Sequence, residues 1–250
     1  MTQAFDKDYW ESHWQQANGH APGREIVPNP YLAREISSLA PGTALDAGCG
    51  EGAEAIWLAN EGWQVTAADI STEALSRASE RATKGCAAPE RVQWVKADLS
   101  VWEPGKQFDI VTTHYAHPAM PQLAFYERIS GWVAPGGTLL IVGHLHTSET
   151  PGHGHSQEQQ GHKHNPPEEV SVTAASITVG LDVTRWDIVT ADEPIRTLTN
   201  RAGRTVQLDD VVVRATRRPL THGSASSSAA THDSSCTSVR RLDPPTHRGI

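Results

Sequence analysis

Several features that would assign a chain to a specialised class are scarce in this sequence. It has only three cysteines in 250 residues, Cys49, Cys86 and Cys236, and their wide separation supports neither a disulfide framework nor a paired zinc knuckle. No apolar stretch approaches the ~20 residues that a membrane-spanning helix needs. The N-terminus lacks the basic segment and the apolar run of a secretory signal. We therefore expect a protein of the reducing cytoplasm with no membrane partner.

Positive charge is also in short supply. The chain has 21 Lys and Arg against 29 Asp and Glu, which gives a formal net charge of −8. Nucleic-acid binding depends on clustered Lys and Arg that contact phosphates, so no nucleic-acid partner is expected for the chain as a whole. Hydrophobic residues make up 38% and charged residues 20%, which are ordinary proportions for a globular protein. The length accommodates one α/β domain with extensions.

The stretch Thr43–Ala59 organises the rest of the sequence. A short apolar strand reaches Asp46 and breaks into a loop that contains Gly48, Gly50 and Gly52. An amphipathic helix follows at once, with apolar residues at three-to-four-residue spacing. Glycines permit a tight turn and close approach of a ligand to the backbone, and the helix N-terminus offers free N–H donors. The pattern predicts a ligand-binding loop between a strand and a helix.

Such a loop fits two ligand classes, which Asp46 separates. The spacing Gly48-x-Gly50-x-x-Ala53, with an acid about twenty residues later, also satisfies the dinucleotide pattern of a nicotinamide-dependent oxidoreductase. An acid two residues before the first glycine would repel the diphosphate of a dinucleotide. It would attract a ligand that carries an ammonium and a sulfonium group. The sequence therefore favours the second class of ligand.

Two further acids end the next predicted strands. Asp69 closes a strand over residues 63–69, and Asp98 follows a strand over residues 91–96. The carboxyl ends of parallel strands meet at one edge of an open α/β sheet, where ligands bind. An acid after the second strand can accept hydrogen bonds from both ribose hydroxyls. The alternatives are that Asp69 only caps the following helix and that Asp98 is only a turn residue.

Two segments resemble motifs of the class I S-adenosylmethionine-dependent methyltransferases. Residues 45–52, LDAGCGEG, are similar to motif I of that family, and residues 134–142, APGGTLLIV, are similar to its fifth strand. The resemblance implies a seven-stranded Rossmann-like α/β sheet, mostly parallel with the last strand antiparallel, and helices on both faces. Consistent with a closing hairpin, strand-like runs at 186–198 and 204–214 flank a turn signal.

The same resemblance implies the cofactor, the reaction and the site. The protein would transfer a methyl group from S-adenosyl-L-methionine to a small-molecule nucleophile through sulfur, selenium, tellurium, oxygen or nitrogen. Asp46 and the glycine loop would hold the methionine part, Asp69 the ribose and Asp98 the adenine. The predicted cofactor-binding residues are Asp46, Gly48, Gly50, Gly52, Asp69, Ile70, Asp98, Leu99, His114, Trp10 and Trp14.

The N-terminal segment is rich in aromatic residues. Phe5, Tyr9, Trp10 and Trp14 share one face of a predicted helix. The pattern YWExxW followed by PNPYL resembles the start of thiopurine- and tellurite-type methyltransferases, in which an aromatic helix helps to cover the methyl donor. Trp10 and Trp14 would then exclude water from the cofactor. The alternative is an aromatic face that only packs against the main domain.

Histidines concentrate in the second half of the domain. Eight of the 13 lie between His114 and His164. Imidazole suits both general-base catalysis near neutral pH and the binding of zinc, nickel or copper. The candidates for catalysis are His114, His117 and His144, and those for a metal are His144, His146, His153, His155, His162 and His164. Two alternatives remain for the loop: a solvated insert without a role and a substrate lid.

The histidines also support a different class of function. A methyltransferase fold could hold the cofactor yet act as a metal-responsive sensor or a metal store. Among methyltransferases, the segment after the fourth strand lacks the Asn-Pro-Pro-Tyr signature of many amino-group enzymes, which argues against adenine, cytosine or glutamine-amide acceptors. The sequence gives no indication of the oligomeric state.

The family resemblance and the composition together predict the domain organisation. We expect a helical lid over residues 1–28 and a methyltransferase domain over residues 29–218, with a histidine-rich insert at 143–167. Residues 219–250 are rich in Ser, Thr, Ala and His with few apolar side chains. Such a segment cannot bury enough apolar surface to fold by itself, so we expect a disordered tail.

Overall fold

Eight strands form one sheet in the computed structural model, which describes residues 5–16, 27–145, 172–199 and 205–219. All of these residues belong to the unit Met1–Pro219. The strands are β1 (Thr43–Ala47), β2 (Gln64–Asp69), β3 (Val92–Lys96), β4 (Phe108–His114), β5 (Val133–His144), β6 (Trp186–Asp192), β7 (Ile195–Thr199) and β8 (Thr205–Arg217).

The strand order is that of a Rossmann-like methyltransferase sheet. Along the sheet the order is β3-β2-β1-β4-β5-β8-β6, and β7 pairs with β8 off this path. Strands β1 to β5 pair in parallel, whereas β8 runs antiparallel to β5 and β6. The fold class is therefore confirmed, with one strand more than the predicted seven.

The extra strand arises where a single strand was expected. The run at 186–198 is divided at Glu193–Pro194 into β6 and β7. Proline lacks the N–H that a continuous ladder requires. The two strands then share one edge of β8: β6 pairs with its second half, Val212–Arg217, and β7 with its first half, Thr205–Asp209.

Local capping signals begin the helices that cover the sheet. At the start of α2, Asn29 Oδ1 accepts from the Tyr31 N–H at 3.0 Å. Ser71 Oγ caps α4 by accepting from the Ala74 N–H at 3.2 Å. The helices are α1 (Lys7–Gln16), α2 (Pro30–Ile36), α3 (Ala53–Asn60), α4 (Thr72–Gly85), α5 (Gln122–Ser130) and α6 (Ala174–Val179). No helix among the described ranges is long and apolar enough to cross a membrane.

Alternating residues of the central strands feed two cores, one on each face of the sheet. On one face, Leu139 and Ile141 of β5 belong to a cluster that includes residues of α5 and α6. On the other, Leu140 and Val142 belong to a cluster that includes residues of α2 and α3. Because both faces are covered, the central strands are apolar on both sides, and the polar groups of the sheet collect at the carboxyl ends of β1 to β4.

The predicted domain boundaries are not decided by these ranges. Much of the lid at 1–28, most of the insert at 143–167 and almost all of the tail at 219–250 lie outside the described residues. Those boundaries remain predictions.

Candidate active site

The glycine loop is fixed to the end of β2 by its own backbone. The N–H groups of Gly48 and Cys49 both donate to the carbonyl of Ala68, at 2.8 and 3.1 Å. Gly48 has a φ of +82°, a conformation that glycine adopts without strain. A Cβ built on Gly48 would lie 2.4 Å from the Cβ of Ala116. The loop therefore needs glycine here both for its turn and for contact with the chain that follows β4.

A cavity of about 360 Å³ opens between this loop and the ends of β2, β3 and β4. Nine of the eleven predicted cofactor-binding residues line it: Trp10, Trp14, Gly48, Gly50, Asp69, Ile70, Asp98, Leu99 and His114. The two that do not are Asp46 and Gly52. Residues that come from four strand ends and from α1 thus meet in one place, as ligand sites in open α/β sheets do.

Gly52 contributes to packing beneath the cavity. It is the N-cap of α3 with a φ of +79°. A Cβ at this position would lie 2.6 Å from the ring of Trp94 and 3.0 Å from the Cβ of Ala78. Its glycine is therefore required for close contact between α3, β3 and α4 rather than for a position in the cavity lining.

Asp46 lies under the loop and carries an uncompensated carboxylate. Asp46 is 1% exposed, and its Oδ2 has no hydrogen-bond partner among the described residues. Burial raises the pKa of Asp46 well above its ordinary value, and the charges of Glu54 and Asp69 raise it further, against a hydrogen bond from the Ala55 backbone. The loop therefore rests on a buried acid that a nearby positive charge would stabilise in its ionised form.

Asp69 joins the loop to α4. Its Oδ2 accepts from the Gly50 N–H at 2.9 Å, and its Oδ1 accepts from the Ser71 N–H at 2.9 Å. Burial raises the pKa of Asp69, although these hydrogen bonds oppose the rise. Each carboxylate oxygen has further lone pairs. Asp69 can therefore accept hydroxyl donors from the cavity while it still holds the loop.

Asp98 is oriented by its own turn. Its Oδ1 accepts from the backbone N–H of Ser100 at 2.9 Å and from its hydroxyl at 2.6 Å. The adjacent Leu99 is 6% exposed and lines the cavity. An acid and an apolar side chain thus stand together at the end of β3, which suits a planar, apolar ring with an exocyclic donor.

Helix α1 closes the cavity from outside. Trp14 lies over Gly50, because a Cβ on that glycine would be 3.3 Å from the indole ring. The indole N–H of Trp10 donates to the His117 carbonyl at 3.1 Å. Glu11 Oε2 accepts from the Ser71 hydroxyl at 2.9 Å and from the Thr72 N–H at 3.0 Å. The helix therefore bridges the glycine loop, the start of α4 and the chain after β4.

His114 stands at the end of β4 with a neutral ring. Its Nδ1 is 3.4 Å from the Thr112 hydroxyl, and its Nε2 is buried with no hydrogen-bond partner in the described part of the chain. Burial lowers the pKa of His114 below its ordinary value, against the opposing charge of Glu54. A neutral imidazole at neutral pH has a lone pair that can accept a proton.

The other predicted catalytic histidines lie nearby. His117 lines the cavity, and its Nδ1 is 3.2 Å from Gln122 Oε1. The His144 ring is nearly parallel to that of His117, with centroids 6.2 Å apart, and lies 4.6 Å from the Tyr115 ring. His144 is not part of the cavity lining. The structure thus places His114 and His117 in the cavity lining and His144 against the rings of His117 and Tyr115.

A metal site finds no support in the described residues. Within residues 5–16, 27–145, 172–199 and 205–219, no group of three or more His, Cys, Asp or Glu side chains could hold a metal ion. Of the six predicted metal ligands, only His144 is in these ranges. The other five, His146, His153, His155, His162 and His164, lie outside the described residues.

Sequence reasoning missed several residues of the cavity wall. Glu54 is the second residue of α3, and its Oε1 accepts from the Asn29 N–H at 3.0 Å. Its position soon after the glycine loop was a usable signal. The remaining missed residues are Phe5, Cys49, Glu51, Ala53, Ala97, Tyr115, Ala116, Pro118 and Ala119. The last four belong to the segment that follows His114. Their nearness in sequence to a predicted site residue was therefore a usable signal.

A family model described as a methyltransferase domain matches residues 44–137. A probable thiol methyltransferase of Arabidopsis thaliana is 29% identical over 136 residues, covering 52% of this chain and 59% of the relative. An uncharacterized methyltransferase of Mycobacterium tuberculosis is 39% identical over 100 residues, covering 39% of this chain and 48% of the relative. A thiocyanate methyltransferase of Brassica oleracea is 27% identical over 146 residues, covering 56% and 63%. The chain thus spans about half the length of the curated relatives it matches.

Solved structures share the fold at low sequence identity. One, from work on the conversion of a disulfide bond into a thioacetal group during echinomycin biosynthesis, has a TM-score of 0.60 at 20% identity, covering 86% of this chain and 93% of that one. The N-methyltransferase NodS of Bradyrhizobium japonicum, in complex with S-adenosyl-L-homocysteine, has a TM-score of 0.57 at 16% identity, covering 84% and 98%.

The sheet order, with the glycine loop and its acids at the carboxyl ends of the strands, is the Rossmann-like fold of class I S-adenosylmethionine-dependent methyltransferases, and residues 44–137 match the methyltransferase-domain model. The electrostatics of the site fit the cofactor that this class binds. After burial, the charges of Glu54 and Asp69 raise the pKa of Asp46 further, so they raise the free energy of its ionised form. A ligand with an ammonium and a sulfonium group would relieve this repulsion.

We expect Asp46→Asn to stabilise the protein without ligand and to weaken its binding of S-adenosylmethionine. The folded-state pKa of Asp46 is raised, so its charge opposes folding above the unfolded pKa, and the gain from Asn grows as pH rises. At pH 8 the gain should be about 1 kcal/mol or more, or roughly 2–4 °C in Tm. At pH 4 it should be small. Thermal unfolding at both pH values measures the effect.

The exposed Asp182 provides the matched control for this substitution. Hydrogen bonds from Thr184 lower the pKa of Asp182, so Asp182→Asn should not raise Tm. Calorimetry should also show that Asp46→Asn weakens S-adenosylmethionine by about tenfold and the uncharged thioether product by less, because only the former carries the sulfonium charge. A lower Tm at pH 8 would contradict the analysis of Asp46.

We expect Glu11→Ala to loosen the closure of α1. The change removes the acceptor of the Ser71 hydroxyl and the Thr72 N–H, two contacts that join α1 to the start of α4. S-adenosyl-L-homocysteine should bind about 10–150-fold more weakly, which corresponds to the ~1.5–3 kcal/mol typical of hydrogen bonds to a charged group. Asp8→Ala, an exposed acid on the same helix, is the control for charge. Equal affinities of the two variants would show that α1 does not depend on Glu11.

Proposed function

We propose that the protein transfers the methyl group of S-adenosyl-L-methionine to the sulfur atom of a small molecule. The observation that carries the proposal is a single cavity lined both by the acidic glycine loop and by His114, whose Nε2 is buried and whose pKa is lowered by burial. The predicted cofactor-binding residues of the loop and the candidate proton acceptor at the end of β4 would thus act in the same cavity.

The chain's own residues would hold the donor by charge and by backbone. Glu54 and the loop Gly48–Glu51 would face the amino-acid part, with the charge of Asp46 acting from behind the loop, while Asp69 would face the ribose and Asp98 with Leu99 the adenine. When bound, S-adenosylmethionine supplies a methyl group that its sulfonium already activates for displacement. The protein would then contribute the alignment of the methyl donor with the acceptor and the exclusion of water. Trp10 and Trp14 would exclude the water.

His114 would remove the acceptor's proton. Its Nε2 is free to take the proton when Nδ1 carries the hydrogen and donates it to Thr112, 3.4 Å away. The S–H bond of a thiol breaks, the proton goes to Nε2, and the sulfur lone pair forms the new S–CH₃ bond as the donor's S–CH₃ bond breaks. The resulting imidazolium returns its proton to solvent. A buried site favours this return, because burial lowers the pKa of His114.

Two features favour sulfur over other acceptors. Relatives matched by this chain are named as a probable thiol methyltransferase and a thiocyanate methyltransferase. The acceptor side of the cavity is built from aromatic and imidazole rings, including Phe5, Trp10 and His117. Such rings contact polarisable sulfur favourably. A phenol or an amine would place a greater demand on a base than a thiol, whose pKa is about 8.5.

The test is a panel of acceptors with untagged protein. Release of S-adenosyl-L-homocysteine would be followed by mass spectrometry with neutral thiols, thiocyanate, a chalcogen oxyanion, phenols and amines. We expect turnover with thiols, and no change when a chelator is present. Turnover confined to phenols or amines would exclude the sulfur proposal. Activity lost with chelator and restored by one metal would instead assign a role to the histidine-rich loop.

We expect His114→Gln to lower kcat/KM for a thiol at pH 7 by about 100-fold, within the range typical of general-base catalysis. At pH 9 most of a thiol with a pKa of about 8.5 is already ionised, so the loss should shrink to about tenfold or less. In the unaltered protein, kcat/KM should fall only below the ordinary histidine range, because the pKa of His114 is lowered. The same loss at pH 7 and pH 9 would exclude His114 as the base.

A further inference from the structure

A closed polar network lies behind the cavity wall. The hydroxyl of Tyr115 donates to Asp210 Oδ1 at 2.8 Å and accepts from Arg196 Nη2 at 2.9 Å and Asn29 Nδ2 at 3.3 Å. Arg196 Nε donates to the other oxygen of Asp210 at 2.8 Å. Asp210 is fully buried. An ion pair with a fully buried carboxylate, in which both partners also bind one hydroxyl, holds that hydroxyl in a fixed position.

The members of this network come from distant parts of the chain. Arg196 lies in β7, the strand that the predicted sheet lacked, and Asp210 lies in β8 directly opposite His144 of β5. Tyr115 follows β4, and its ring packs 4.6 Å from the His144 ring. The additional strand thus delivers a guanidinium to the residue that follows His114.

Tyr115 has an unusual backbone conformation. Its φ is +54°, and it is the sole non-glycine residue with positive φ in the described part of the chain. This region costs a residue with a side chain roughly 1 kcal/mol. The hydrogen bonds to the Tyr115 hydroxyl hold the residue there. A strained residue beside a cavity is a recognised mark of a functional constraint.

The strained turn directs residues 115–118 across the site. It places Ala116 against the glycine loop, where a Cβ on Gly48 would meet the Ala116 Cβ at 2.4 Å. It also presents the His117 carbonyl to the indole N–H of Trp10 at 3.1 Å. Residues 115–118 therefore form the wall between the glycine loop, His114 and α1.

We propose that Arg196 and Asp210 are positioning residues of the active site. Through the hydroxyl of Tyr115 they hold the turn after His114, and with it the wall against which an acceptor must align. This inference rests on the proposed function for its effect on turnover. It predicts that the network acts on alignment of the acceptor rather than on retention of the cofactor.

Tyr115→Phe and Arg196→Met test the proposal. Tyr115→Phe keeps the aromatic ring and removes the hydroxyl. Arg196→Met keeps an unbranched apolar side chain and removes the guanidinium group. Each should lower kcat/KM for the acceptor by about 10–100-fold, the loss expected for a misplacement on the order of 1 Å. The Kd of S-adenosyl-L-homocysteine should change by less than about threefold. The double variant should lose little more than either single one, because both remove the same hydrogen bond.

The chain provides a matched control for the arginine. Arg218 binds Asp187 through Nε and Nη2 at 3.0 and 2.7 Å, but it is exposed at the far side of the sheet. Arg218→Met should leave kcat/KM and the Kd unchanged. All assays run well below each variant's Tm, so that a loss of folded protein does not enter the comparison.

A second readout is independent of turnover. Exchange of the amide hydrogens of residues 115–117, measured with bound S-adenosyl-L-homocysteine, should be faster in Tyr115→Phe and Arg196→Met than in Arg218→Met. If the unaltered protein methylates nothing, the proposed function fails, and exchange alone decides whether the network holds the turn. Unchanged exchange overturns the positioning role. So does unchanged kcat/KM in an active protein, or a loss of cofactor affinity that matches the loss of kcat/KM.

Discussion

The carboxylate of Asp69 is the point on which the active-site architecture depends. One oxygen holds the Gly50 N–H and the other holds the Ser71 N–H. The first contact fixes the glycine loop, and the second fixes the start of α4. Ser71 in turn donates its hydroxyl to Glu11 of α1. Loop, helix and covering helix are therefore coupled through a group that is 8% exposed and still has lone pairs to offer.

This arrangement concentrates negative charge where the protein can least solvate it. Asp46 and Asp69 are both buried, and their pKa values are raised by that burial. A fold selected only for stability would replace or pair such groups, because a buried, uncompensated charge is costly. Their presence is understandable if a positively charged ligand completes the site. Ligand binding would then relieve the unfavourable free energy of the buried carboxylates, which strengthens the binding.

The part of the cavity at His114 is organised differently. The Nε2 atom of His114 is buried and the pKa of its ring is lowered, and the rings of Phe5, Trp10 and His117 line the same cavity. Precision here comes from the ion pair of Arg196 with the buried Asp210 and from the Tyr115 hydroxyl rather than from charge that faces the cavity. The acidic side of the site, at the glycine loop, thus selects a ligand by electrostatics. On the His114 side, the network of Tyr115, Arg196 and Asp210 fixes the geometry of the cavity wall.

The sequence determined what depends on neighbouring residues. The glycine loop, the acids at the ends of β2 and β3, and the caps at Asn29 and Ser71 are encoded within a few positions, because turns and caps are local. The family resemblance implied a mostly parallel sheet with its last strand antiparallel. Only the tertiary structure decided that Gly52 packs against Trp94, and that Asp46 lies beneath the cavity instead of in its lining. It also decided that Pro194 divides a strand and that Arg196 and Asp210 reach Tyr115, 81 and 95 residues away along the chain. No local pattern encodes such contacts, since they exist only once β4, β5, β7 and β8 have been brought together.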